Sequence, residues 1–238
     1  MKKLVVLLLL VGCTFSMMSQ KMSRRGNVPN LPGFDERTLH FGFLLGLNAM
    51  DFRVYNNGAS TQLNNQNPLY ADIIHLQPGI NIGIVTDLRI HKYFNLRFLP
   101  SIAFGQRDLY FIRQDGEKVK DPIELKSTFL EFPLLVKYSS VRQSNFKPYL
   151  IGGVNGRVDL ARSKQENMVL QPFDVCMELG VGIDYYLSYF RLSTEIKASY
   201  GLLNVKGSKI TENPADMIYG QAVDKLSSNI FHFTFYFE

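Results

Sequence analysis

Cysteine is almost missing from this sequence of 238 residues; the two present are Cys13 and Cys176. If Cys13 leaves with an N-terminal signal, Cys176 stands alone, and neither a disulfide framework nor a cysteine-based metal site remains possible. The four histidines, His40, His75, His91 and His232, show no metal-ligand spacing. Long apolar runs are also lacking. The one continuous stretch, Leu4 to Val11, follows Lys2 and Lys3 and is far too short to cross a bilayer as a helix. It has the form of an export signal, with residues 1–19 expected to be removed. Leu10-Val11-Gly12-Cys13 also fits a lipobox, whereas cleavage after Ser16 or Ser19 would discard Cys13. A chain that inserts itself into a membrane needs no acyl anchor. Clustered positive charge is scarce too. The formal net charge is +5, yet the basic residues are scattered apart from Lys21, Arg24 and Arg25, which does not suggest a nucleic-acid surface. No helical period, phosphate-binding loop or calcium loop is visible, so no cofactor and no small-molecule substrate is implied.

What is present is alternation. In "HFGFLLGLN", Phe41, Phe43, Leu45 and Leu47 share one face, and His40, Gly42, Gly46 and Asn48 the other. The pattern recurs in "HLQPGINIGIVTD", "YFNLRFLPSIAFGQ", "STFLEFPLLVKYS", the stretch from Lys147 to Val158, Phe173 to Asp184, Phe190 to Gly201, and the closing "SNIFHFTFYFE". That makes eight strands. Short turns around His91-Lys92, Ser140 to Asn145 and Ser188-Tyr189 alternate with longer polar connections over residues 53–73, 107–122, 161–171 and 204–228. An even count of strands with short turns at one end and long loops at the other predicts an all-β, antiparallel, up-and-down transmembrane β-barrel, its short turns periplasmic and its long loops extracellular. The organisation expected is residues 1–19 as signal, 20–37 as a periplasmic N-terminal segment, and 38–238 as an outer-membrane barrel.

Alternation alone also fits a soluble barrel with an apolar interior. Against that, the apolar face carries no charge in the body of any strand, whereas the other face carries both signs. Glycines gather on the polar face (Gly42, Gly46, Gly79, Gly83, Gly153, Gly180, Gly182), where a tightly curved barrel crowds its interior. Aromatics gather near the short turns, as at a membrane interface. The polar face is therefore inside, and Phe132, Leu134, Phe231, Phe233, Phe235 and Phe237 face lipid. Pro78, Pro100, Pro133 and Pro148 each remove a ladder donor, and bulges are expected there.

Arg97, Glu131, Arg157, Glu178, Arg191, Glu195 and Lys197 should then meet in the interior as a salt-bridged core that fixes register, since buried charges must be paired. A proton or ion path is the other reading of the same residues. A barrel-borne hydrolase or acyltransferase would need a Ser/His/acid set at the long-loop rim, where only His75 with Asp72 is placed, and no catalytic role is expected.

Three stretches carry a more specific likeness: "NLPGFDERTLHFGFLLGLNAMDFRV", "LRFLPSIAFGQRDLYF" and "STFLEFPLLVKYSSVRQSNFKPYLIGGVN". Through them the chain resembles the PorT family of Bacteroidota, small outer-membrane barrels associated with the type IX secretion system and, in gliding species, with motility. The resemblance implies a non-enzymatic accessory in the export of proteins with C-terminal sorting domains. Its partners would be outer-membrane lipid and other secretion-system proteins. It supplies no catalytic residues. The Pro-rich lead, with Pro29, Leu31, Pro32 and Phe34, is the first choice for docking such a partner in extended form. A structural or adhesive barrel acting through its loops, and an outer-leaflet lipid-modifying enzyme, are the alternatives from other classes.

Overall fold

A computed structural model describes residues 29–56, 69–72, 77–113, 123–160, 171–205 and 223–238. After a turn of 3-10 helix at Phe34–Glu36 come β1 (Leu39–Asn56), β2 (Leu69–Asp72), β3 (Pro78–Arg89), β4 (Phe94–Phe98), β5 (Ser101–Arg113), β6 (Ile123–Ser139), β7 (Phe146–Asp159), β8 (Phe173–Tyr186), β9 (Arg191–Gly201) and β10 (Val223–Phe237). All pairings are antiparallel. The ring runs from β1 through β10, β9, β8, β7 and β6, then across β4 and β5 to β3, which returns to β1. Closure pairs the backbone groups that hydrocarbon cannot satisfy.

Eight staves form this ring, as the alternation predicts. One stave is broken at Leu99-Pro100 into β4 and β5, because Pro100 has no N–H to give. The gap is bridged from both sides: Ile84 N donates to Pro100 O at 3.0 Å, and Leu99 N to Pro133 O at 3.2 Å. Leu99 and Ser101 both stay buried, so the faces do not slip across the break. The remaining strand, β2, pairs with the far end of β5 from Leu69↔Arg113 to Asp72↔Tyr110. The expected bulges are corrected. Pro78, Pro133 and Pro148 sit in register opposite Ala49, Asn155 and Ile183, and the register shift among the described rungs falls at Tyr55/Asn56. A missing donor does not force a bulge where the neighbouring rungs hold the ladder; at Pro133, Phe132 N turns to Asn155 Oδ1 at 3.1 Å.

The wall is inside out relative to a soluble protein. On β1, Phe41 is 64% exposed and Phe43, Leu45 and Leu47 also look outward, while His40, Asn48 and Met50 are buried. On β6, Glu131 and Lys137 are buried between exposed Phe132, Leu134, Val136 and Tyr138. An apolar surface of this extent is far beyond what a soluble monomer leaves in water. The interior is correspondingly crowded. A Cβ at Gly79 would overlap Phe104 O on the neighbouring strand, and one at Gly182 would overlap the Tyr149 ring. A closed barrel of this kind is expected to run fast on SDS gels until boiled. Recovery in a soluble periplasmic fraction, or mobility unchanged by heat, would count against the architecture.

Candidate functional site

Inward-facing positions on successive staves come together in layers along the barrel axis. Nearest the short turns is a charged layer. Arg97 Nε donates to Asp87 Oδ2 at 2.8 Å, and Arg97 and Arg191 both bind the Glu238 carboxylate. Arg191 also reaches Asp87 at 3.3 Å, and Lys137 Nζ lies 2.7 and 2.8 Å from the two oxygens of Asp184. Glu195 is held differently: Tyr149 and Tyr236 donate their hydroxyls to it at 2.9 and 2.7 Å. The Arg97 guanidinium lies over the rings of the same tyrosines. In this layer the carboxylates outnumber the cations, and the tyrosine hydroxyls and Ser193, which donates to Asp184 at 2.6 Å, supply the missing donors.

Above it, Leu44, Val85, Leu99, Leu135, Tyr149, Ile151 and Tyr236 form an apolar layer across the lumen. A second charged layer follows. Arg157 Nε meets Glu131 at 3.0 Å and its other arm reaches Glu178 at 3.5 Å and Ser199. Lys197 Nζ and Asn155 Nδ2 both bind Glu178 at 2.7 Å. His232 is buried at this level with both ring nitrogens unpartnered. Farther toward the long loops, Arg107 donates to Ser228 at 3.0 Å and to Ser127 at 2.5 Å, and its guanidinium stacks 3.8 Å over the Phe52 ring.

All seven charged residues chosen from the sequence line this interior, but in two groups: Arg97, Arg191 and Glu195 in the lower layer; Glu131, Arg157, Glu178 and Lys197 in the upper. Sequence reasoning missed Asp87, Lys137, Asp184 and Glu238 as members, and Arg107 above them. Their parity was the available signal. Glu238 continues the inward series His232, Thr234, Tyr236, and Asp87 continues Asn81, Gly83, Val85. Of the lipid-facing set, Phe132, Leu134, Phe231 and Phe233 are exposed on the outer wall. Phe235 and Phe237 are half-buried, because Phe235 lies edge-on to Phe233 and Phe237 stacks on Phe43 at 4.7 Å.

The lower mouth is occupied by the chain's own lead. Phe34 is buried there, stacked on His40 at 4.5 Å, edge-on to Tyr186, and under the Arg191 guanidinium at 5.0 Å. His40 Nε2 and Phe34 O are 2.8 Å apart. Asp35 accepts from Tyr186 OH at 2.6 Å and faces Lys147 at 3.4 Å. Asn30 is tied to Asn145, Tyr186 and Arg142. This corrects the picture of a free docking tail: Phe34 is taken up by the barrel itself, Leu31 is half-buried, and Pro29 and Pro32 remain exposed. Cys13 and His75 lie outside the described residues, and the Asp72 side chain is likewise not described.

Chemically this interior can hold register and shape: the two charged layers are paired within themselves, and Arg107 is held by Ser127, Ser228 and the Phe52 ring. Comparison with solved structures finds similar barrels at low identity. Neisserial surface protein A is 14% identical, covering 84% of this chain and 99% of that one, with a TM-score of 0.42. OprG from Pseudomonas aeruginosa is 14% identical, over 83% of this chain and 94% of that one, with a TM-score of 0.45. Ail, the attachment invasion locus protein of Yersinia pestis, is 9% identical, over 83% and 96%, with a TM-score of 0.35. No curated protein sequence matches. The family model described as outer membrane protein beta-barrel domain matches residues 18–207, and the chain belongs to that family of outer-membrane barrels.

Proposed function

We propose that this outer-membrane barrel is a non-enzymatic accessory of the type IX protein secretion system, acting by contact with larger components in the export of proteins with C-terminal sorting domains. The observation that carries the reading is the filled lumen. Two charged layers, an apolar layer and the Phe34 plug occupy the bore of an eight-stave barrel, whose interior is just wide enough for side chains. Such a barrel is no conduit for a protein cargo, so a part in export has to be played by its surfaces. The stretches "NLPGFDERTLHFGFLLGLNAMDFRV" and "GQRDLYF", which resemble secretion-system members of the PorT family, supply the choice of secretion system.

Deletion of the gene is expected to abolish release of sorting-domain cargo into the medium and to strand it in the periplasm, with wild-type complementation restoring it. Removing residues 21–28 while keeping the Asn30–Glu36 plug tests the stretch ahead of the plug separately. That variant should insert and show the heat shift, yet export cargo poorly. Normal export in the deletion strain rejects the accessory role and leaves a structural or adhesive barrel. Normal export in the truncation rejects docking through residues 21–28, and moves attention to Pro29, Pro32, the long loops or the wall.

A further inference from the structure

We propose that the outer wall carries a binding site for a phosphorylated lipid headgroup at the β1–β10 seam, formed by Arg53, Tyr55 and Lys225. The outward face of these two strands is apolar from Leu39 to Ala49 on β1 and from Phe237 to Phe231 on β10, and Ala49 and Phe231 share its last apolar rung. Beyond that rung the chemistry of the same face changes. Arg53 pairs with Ser227, and Tyr55 with Lys225. Both cations are exposed, and they flank one ring: the Arg53 guanidinium lies 5.3 Å and the Lys225 ammonium 5.9 Å from the centroid of Tyr55. Asp51, on the rung below, accepts from Phe52 N at 2.8 Å.

Height decides what meets these groups. At about 3.3 Å per residue and a tilt of about 40°, the apolar run on β1 spans about 25 Å along the membrane normal, which matches the lipid-facing band of an outer-membrane barrel. Arg53 lies four residues past Ala49, so its backbone stands about 10 Å above the edge of the band, within reach of headgroups for a long side chain. On the far side of the ring the same level recurs, where exposed Lys126 lies four residues beyond Leu130 on β6. The long loops put this end in the outer leaflet. Two cations bracketing an aromatic face, just above hydrocarbon, fit a phosphate carried on a lipid: the charges take the anion and the ring covers its sugar or glycerol.

The test is native mass spectrometry of the purified barrel from detergent after incubation with a bisphosphorylated glycolipid or its dephosphorylated form. The doubly substituted Arg53→Gln/Lys225→Gln protein is compared with wild type, and an unchanged heat shift certifies its fold. Wild type should retain the phosphorylated lipid, and the variant should retain about tenfold less. The dephosphorylated lipid should bind both proteins equally weakly, and inorganic phosphate at millimolar concentration should not displace the bound lipid. Equal retention by variant and wild type overturns the site. Equal retention of the two lipid forms by wild type overturns its phosphate chemistry, and displacement by free phosphate overturns the lipid as its ligand.

Discussion

Replacing Asp184 with asparagine is expected to lower the stability of the barrel by about 3–5 kcal/mol, the usual consequence of leaving one partner of a buried ion pair alone. The substitution keeps the shape of the side chain and removes only its charge. Lys137 then suffers most. Its ammonium contacts both Asp184 oxygens and is fully buried, and its other close neighbour is the face of Tyr149 at 3.9 Å. Arg191 is better protected, since it keeps Asp87 and Glu238 when Asp184, 4.0 Å away, is neutralised. The double variant Lys137→Met/Asp184→Asn removes the stranded cation and is expected to recover most of the loss, leaving the Ser193 hydroxyl and the introduced amide to bond each other. Urea unfolding from lipid vesicles, read as a double-mutant cycle, measures the coupling. A double variant as unstable as the single one would mean that Asp184 acts through packing or its serine contact, and that the ion pair is not what holds this layer.

The distribution of such pairs marks what a one-dimensional reading of the chain reaches. Parity along each strand is local, so the inward turn of Glu131, Arg157 and Glu178 and the outward turn of Phe132 and Leu134 were legible from period two alone. Which inward residues meet is not local. It depends on the stagger between staves, through which Lys137 on β6 reaches Asp184 on β8 across β7, and Arg97 reaches Glu238 at the far end of the chain. Two charged layers with an apolar one between them are a product of that stagger, and a list of interior charges cannot separate them. The plug was missed for a related reason. "NLPGFDER" has no period, and a Pro-rich lead with one phenylalanine reads as a tail. Besides His40, six residues on, its place in the mouth comes from partners distant in sequence: Tyr186 and Arg191 around Phe34, and Tyr186 and Lys147 around Asp35.

The lipid-facing assignment has the most direct consequence. Leu134 lies midway along the outward apolar run of β6, between Tyr138 toward the short turns and Leu130 toward the long loops, and Phe132 is the next outward residue above it. Arginine at either position would place a guanidinium near the middle of the hydrocarbon, too far from either interface to reach water easily, and is expected to cost about 2–4 kcal/mol and to impair insertion. Leu134→Arg should be the worse of the two, since position 132 is nearer the outer headgroups and a long side chain there can bend toward them. Glu131→Gln, one residue away but inward, changes a charged group to a neutral one inside the upper layer. Arg157 keeps Glu178 and Ser199, and the glutamine oxygen still accepts from it, so the effect should be smaller than either arginine. Folding yield into vesicles and urea midpoints of the three variants order these expectations. If Leu134→Arg and Phe132→Arg insert as readily as wild type while Glu131→Gln fails, the two faces of the wall have been assigned the wrong way round.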